Sequence, residues 1–359
     1  MSGTAPRFTV LLPTHNRADV LGLAIASVLA QSEPDFELLV VADGCTDATR
    51  DVVAAFPDPR LRLFDLPKAP HFGYASRNVA LRQARGRLIA FAPHDDLLLP
   101  DHLALMGDLV ERSGAAWAYS RPLWVSLEGL IVPVCTDLAI PDDLRMFMEV
   151  GNTIPAACVV HTRAALERAG FWPENVPSGG DWVLWRQMIR DSGGNIAHTR
   201  QPTSLHFVAD WRRTRVNEIG ALRVLTDLAA QSPWWPDVLR HPPAGEPEQA
   251  AVWRAMRAGG LPWVRQLRAA IDTVVDRIAW MTVCGLWSSV EAALAAQARA
   301  EADAARCRVN WRHCASPSRT RHHADHAALH HLRLIARALY AAPCCAFCSA
   351  GRCSPCWSA

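Results

Sequence analysis

Three acidic positions in this chain stand where a carboxylate can do chemistry: Asp43, the adjacent pair Asp95 and Asp96, and Asp181. The pair lies in FAPHDDLLLP, after an apolar run and before Pro100. Like charges this close repel and raise each other's pKa unless a positive group sits beside them. Two arrangements relieve them: a solvated turn whose aspartate caps the next helix, or a divalent cation bound through oxygen ligands. Asp43 ends the run FELLVVAD and precedes Gly44, a turn signal. Asp181 follows Gly179 and Gly180 and opens a segment with Trp182, Leu184, Trp185 and Met188 on its apolar positions.

The elements that must position these groups alternate. FTVLL, FELLVVAD, LRLFDL and RLIAFAP read as short strands. Between them ADVLGLAIASVLAQ, TDATRDVVAAF and GYASRNVALRQARG carry helical spacing. The second helix is expected to be capped by Thr46 or Asp47, the third to end at Gly86, and another to open at Pro100 and Asp101. This alternation predicts βαβ units and a mainly parallel sheet with helices on both faces. Ligands of such sheets bind beyond the carboxyl ends of the strands. Asp43 and the Asp95–Asp96 pair therefore fall on the ligand edge. After residue 114 the pattern changes to further strands, with a hairpin expected around Glu128 and Gly129, and from about Ser232 it becomes mostly helical.

Composition narrows the function classes. The chain has 359 residues and a formal net charge of +2. No concentrated basic face suggests a nucleic-acid partner. The basic residues are nearly all arginine, with Lys68 the single lysine. The opening MSGTAPRFTVLLPTHN has no signal-peptide pattern, and no window is long enough to span a bilayer. The longest apolar candidate, Ile278 to Val290, is read as a buried helix ahead of a membrane-surface one. A cytoplasmic protein with reduced cysteines is expected, with peripheral membrane association as the alternative.

From Phe8 to Arg215 the chain resembles a family 2 glycosyltransferase with the GT-A fold. The resemblance rests on VLLPTHNR, FELLVVADGCTDAT, the block ARGRLIAFAPHDDLLLPDHL and GGDWVLWRQM, in that order. It implies a GT-A, Rossmann-like α/β sheet and a helical C-terminal region. It implies that Pro13, Thr14 and Asn16 frame a nucleotide, that Asp43 accepts a hydrogen bond from its base, and that Arg77 lies near the diphosphate. Asp95 and Asp96 match the metal-binding motif, with Asp96 the direct ligand of Mg²⁺ or Mn²⁺ and Asp95 at the nucleotide. His206 matches a late histidine near the metal, and Asp181 the catalytic base. The chain departs from the family at Ala42, His94 and Gly180, where acidic residues are usual.

The implied reaction is inverting transfer of a sugar from a nucleoside diphosphate donor, with UDP-sugars favoured, to a saccharide or lipid-linked hydroxyl acceptor in cell-surface polysaccharide or glycolipid synthesis. A divalent ion suits the leaving diphosphate, and a carboxylate suits the acceptor proton. Two alternatives are a sugar-phosphate nucleotidyltransferase, for which PTHNRAD lacks the glycines of a phosphate loop, and a non-catalytic nucleotide-sugar-binding relative. Trp172, Trp182 and Trp211 are candidates to stack on a sugar. The expected organisation is a transferase domain over 1–231, with a nucleotide half 1–113 and an acceptor half 114–231. A helical extension over 232–300 and a poorly ordered tail over 301–359 follow. The tail holds seven of eleven cysteines and six of fourteen histidines. Its C-x-x-C pairs, Cys345/Cys348 and Cys353/Cys356, lie closer together than a zinc ribbon wants, and its composition reads as a GC-rich gene out of frame.

Overall fold

The strand β1 (Phe8–Thr14) is buried along its length and forms the spine of the sheet. The computed structural model describes residues 5–208 and 220–310. After β1 come α1 (Ala18–Leu29), β2 (Phe36–Asp43), α2 (Thr49–Ala54), β3 (Leu61–Leu66), α3 (Tyr74–Leu81) and β4 (Leu88–Phe91). Next are β5 (Leu97–Leu98), α4 (His102–Ser113), β6 (Trp117–Ser120), β7 (Leu123–Val125), β8 (Ile131–Pro133) and α5 (Pro141–Arg145), which runs into a π-helical turn, Met146–Val150. Then follow β9 (Val159–Thr162), α6 (Arg163–Ala169), α7 (Gly180–Asp191), β10 (Ile196–Thr199), β11 (Ser204–Phe207), α8 (Gly220–Gln231) and α9 (Glu248–Asn310). The chain divides into two compact units, Met1–Asp272 and Thr273–Ala359.

Seven strands form the central sheet in the order β10-β6-β9-β4-β1-β2-β3. Only β9 runs against its neighbours, β4 and β6, so the sheet is mainly parallel as expected. Both its faces are covered. One core cluster gathers Val10, Leu12, Ile25, Val40 and Met106; the other gathers Leu11, Val41, Phe91, Trp117, Trp172 and Trp185. Burial on both faces is why the centre of β2, residues 38–42, reads as an unbroken apolar run.

A second sheet, β5-β11-β7-β8, was not foreseen. Its strands have two to four residues, too short to show a period. The hairpin expected at Glu128 and Gly129 is present as antiparallel β7 and β8. The register of β11 on β5, Ser204 opposite Leu98 and Leu205 opposite Leu97, carries residue 206 to the Asp95–Asp96 turn.

Several local expectations change. Helix α4 does open after Pro100 and Asp101 as expected, but the Asp101 carboxylate makes no cap hydrogen bond and instead takes a two-pronged ion pair from Arg268 on α9, at 2.7 and 2.8 Å. Helix α3 stops at Leu81 rather than at Gly86. Gly86 is needed for another reason: a Cβ there would lie 2.1 Å from the Thr9 backbone nitrogen. Asp47 accepts from the Thr49 N–H and hydroxyl and also from the Ala18 N–H, so it serves two helix starts. Helix α9 kinks at Gly260, where φ is 54°, two residues before Pro262. In its later part Trp280 and Met281 are exposed, against the buried helix expected there. Residues 301–310 continue α9. No described helix is long and apolar enough to cross a membrane. Trp211 and the tail's C-x-x-C pairs lie outside the described residues.

Candidate active site

The carboxyl ends of β1 and β4, the loop before α3 and the start of α7 surround a cleft of about 780 Å³ in the first unit. Pro13, Asn16, Arg77, Asp95, Asp96, Asp181 and His206 all line it. Thr14 and Asp43 do not.

Asp96 and His206 come together most closely. The His206 Nδ1 lies 2.9 Å from each Asp96 carboxylate oxygen, and the Phe207 N–H donates to Oδ1 at 3.0 Å. Asp96 is 1 % exposed. Burial pushes its carboxyl up, against the pull of His206 and the Phe207 N–H. The Trp124 ring meets His206 edge-on, with centroids 4.4 Å apart. Asp95 diverges from its neighbour: its Oδ2 faces His94 Nε2 at 3.9 Å, and its backbone oxygen accepts from Gln249 at the start of α9. Like charges are thus relieved by opposite directions and by one imidazole.

A divalent ion in this cleft would have to be held by the side-chain donors present there. Among the described residues no three His, Cys, Asp or Glu side chains converge as a metal site. One carboxylate and one imidazole do converge. That set fits an ion that completes its coordination with ligand phosphates and water; it does not fit a self-sufficient structural site.

Asp43 is held from within. Lys68 Nζ lies 2.5 Å from Oδ2, while the Ala69 N–H and the Ser76 hydroxyl each donate to Oδ1 at 2.8 Å. Burial alone would raise this carboxyl; Lys68 and the two donors outweigh it and hold it below the usual range. A Cβ on Gly73 would lie 2.4 Å from Asp43 Oδ2, and Gly73 has φ of 73°. The carboxylate therefore fixes the start of α3. The Asp43 backbone oxygen accepts from His15 Nδ1 at 2.8 Å, which leaves the His15 Nε2 a lone pair. Asn16 accepts from the Thr46 N–H at 2.7 Å and ties the first loop to the second.

From α3, Arg77 reaches into the cleft. Its guanidinium lies 4.5 Å from the centre of the Trp172 ring and 5.2 Å from that of Tyr74. Its Nε is shielded and has no hydrogen-bond partner. Burial lowers its pKa, with Tyr74, Asp181 and Asp43 opposing. An arginine stays charged even so, and a shielded cation calls for an anion.

Asp181 sits in the first turn of α7 and accepts from Asn152 Nδ2 at 2.9 Å. Trp182 also lines the cleft and donates from Nε1 to the Phe147 oxygen at 2.5 Å. Trp172 packs deep in the wall, so its main work is burial. Asn152, Tyr74, Lys68 and Ser76 went unread in the sequence.

Residues 9–158 match the model of Glycosyl transferase family 2. The match runs from β1 to the turn just before β9 and so includes Asp43, Arg77, Asp95 and Asp96, but not Asp181 or His206. The chain is similar to the succinoglycan biosynthesis protein ExoO of Rhizobium meliloti, 41% identical over 124 residues, 34% of this chain and 35% of that protein. It is also similar to WfgD of Escherichia coli, named as a UDP-Glc:alpha-D-GlcNAc-diphosphoundecaprenol beta-1,3-glucosyltransferase, 32% identical over 113 residues, 32% of this chain and 44% of that one. Matches span about a third or less of the first curated relatives, 35%, 29%, 29% and 26% of their lengths. Among solved structures, S. aureus TarS 1-349 in complex with UDP-GlcNAc is 17% identical with a TM-score of 0.49, covering 63% of this chain and 67% of that chain.

Proposed function

We propose that this protein is an inverting glycosyltransferase that moves a sugar from a nucleoside diphosphate donor, a UDP-sugar in first place, to a hydroxyl acceptor in polysaccharide or glycolipid synthesis. The observation that carries it is one cleft holding the Asp96–His206 pair, the shielded Arg77 and Asp181. The family 2 match and the names of ExoO and WfgD support the same reading.

Asp96 and His206 are the residues to hold Mg²⁺ or Mn²⁺, which when bound offsets charge on the departing diphosphate. Arg77 adds a fixed cation, already stacked and partly desolvated, for the same anion. Asp181 takes the acceptor proton as the hydroxyl oxygen bonds to the anomeric carbon and the bond to the diphosphate oxygen breaks. A single displacement inverts that carbon. Asn152 holds one Asp181 oxygen, so the other is left to the acceptor. Pro13, Thr14 and Asn16 frame the nucleotide, and Asp95 reaches a ribose hydroxyl or bound water. Asp43 already accepts from Lys68, Ala69 and Ser76, which leaves one acceptor site on Oδ2 for a base N–H. A soluble or peripherally membrane-bound cytoplasmic location is consistent with a nucleotide-sugar donor.

The test is release of nucleoside diphosphate from a panel of UDP-, GDP-, CDP- and dTDP-sugars with Mn²⁺, with and without simple saccharide acceptors. The expected result is turnover with one base class. Absence of turnover and of nucleotide binding across the panel would contradict the proposal.

A further inference from the structure

Two features of α3 and α7 belong together. Helix α7 begins after Gly179, whose φ is 66°, and that position has no side chain to cap the helix. Its first free N–H, on Gly180, donates instead to the Tyr74 hydroxyl on α3, at 3.0 Å. Helix starts leave such donors unsatisfied unless a cap is supplied, so a side chain more than a hundred residues away performs the capping. Gly180 also has no room for anything larger. A Cβ there would lie 2.6 Å from Tyr74 Cζ, and the ring fills the space beside Asp181.

The same ring serves the other side of the cleft. Tyr74 stacks on Trp172 with centroids 5.7 Å apart and planes 16° apart. Arg77 lies against both rings. A guanidinium without an ion pair keeps one orientation only where flat aromatic faces hold it. One side chain therefore fixes the helix turn that carries Asp181 and the cation that faces the cleft.

We propose that Tyr74 is a positioning residue for transfer, coupling the general base Asp181 to the anion-binding Arg77, with Gly180 kept small to admit its ring. This rests on the reading of the cleft as a transferase site. The two halves of Tyr74 have separable roles. The hydroxyl sets Asp181 and acts on the chemical step. The ring sets Arg77 and acts on donor binding.

Tyr74→Phe keeps the ring and removes the acceptor; Tyr74→Leu removes both. With the donor found active in the panel, Tyr74→Phe is expected to lower kcat about tenfold, the scale of one hydrogen bond. Donor Kd should stay put, the melting temperature should fall by about 2–4 °C with the cap lost, and the Gly180 amide should exchange hydrogen about tenfold faster, by the same measure. Tyr74→Leu should in addition weaken donor binding about tenfold through a loosened Arg77. A Tyr74→Phe enzyme with unchanged kcat overturns the proposal while the transferase reading stands. So does a loss of kcat that a smaller folded fraction at the assay temperature accounts for in full. If Tyr74→Leu fails to fold, Tyr74→Phe still decides. A wild-type protein with neither donor binding nor turnover overturns both readings at once.

Discussion

Replacing Asp181 by Asn is expected to cut transfer about 10³-fold in kcat, the range of a lost general base. Nucleoside diphosphate affinity should hold within about threefold, a fraction of the energy of one hydrogen bond. The substitution keeps the side chain's size and an oxygen that accepts from Asn152, so the first turn of α7 stays in place. What is lost is the site that takes the acceptor proton. The groups proposed to bind the donor, Asp96, His206 and Arg77, sit on other elements and keep their contacts. Initial rates and calorimetry on one preparation separate the two effects. Loss of nucleotide binding in step with rate would move Asp181 out of the base role and into the ligand's anchorage.

The second large effect is on stability. His102 and His161 are fully buried, and burial lowers each from 6.5 to about 4. His102 Nδ1 donates to the Thr203 hydroxyl at 2.8 Å, and His161 Nδ1 to the Thr162 oxygen at 2.9 Å; each Nε2 is shielded and unpartnered. Between pH 6.5 and 4 the unfolded chain binds protons that the folded chain refuses. Stability is therefore full above about pH 6.5 and falls as pH drops toward 4. At pH 5 the two together remove about 4 kcal/mol, at 1.36 kcal/mol per pKa unit. His94, His198 and His241, also lowered by burial, add in the same direction. Asp96, raised by burial, acts the other way. Against a typical reserve of about 5–15 kcal/mol this is a large share. Urea midpoints at pH 7.5 and 5 check it, and His102→Gln with His161→Leu should flatten the difference. Equal midpoints in the native sequence would contradict the burial argument.

The sheet was legible because β1, β2 and β4 are apolar runs separated by helical spacing, and the ligand edge follows from their direction. The pairing of Asp96 with His206 was legible only through the family resemblance. It depends on β11 joining β5 across 110 positions, and strands this short carry no pattern. Asp43 shows the limit of turn chemistry: Asp-Gly predicted a turn, yet the carboxylate works as a clamp for the start of α3 through Lys68, Ala69 and Ser76. Gly180 looked like a departure from the family with no stated cause. Its cause is the Tyr74 ring on another helix, a contact that no local rule contains.

The central claim is that this cleft binds a nucleoside diphosphate with a divalent ion at Asp96 and His206. Calorimetry with UDP, GDP, CDP and dTDP, with and without Mn²⁺, on the native protein and Asp96→Ala tests it most directly. The account predicts binding of one nucleotide class that needs the ion and is lost in Asp96→Ala. Binding that ignores both the ion and the substitution would contradict the metal site, and no binding in any condition would contradict the transferase reading itself.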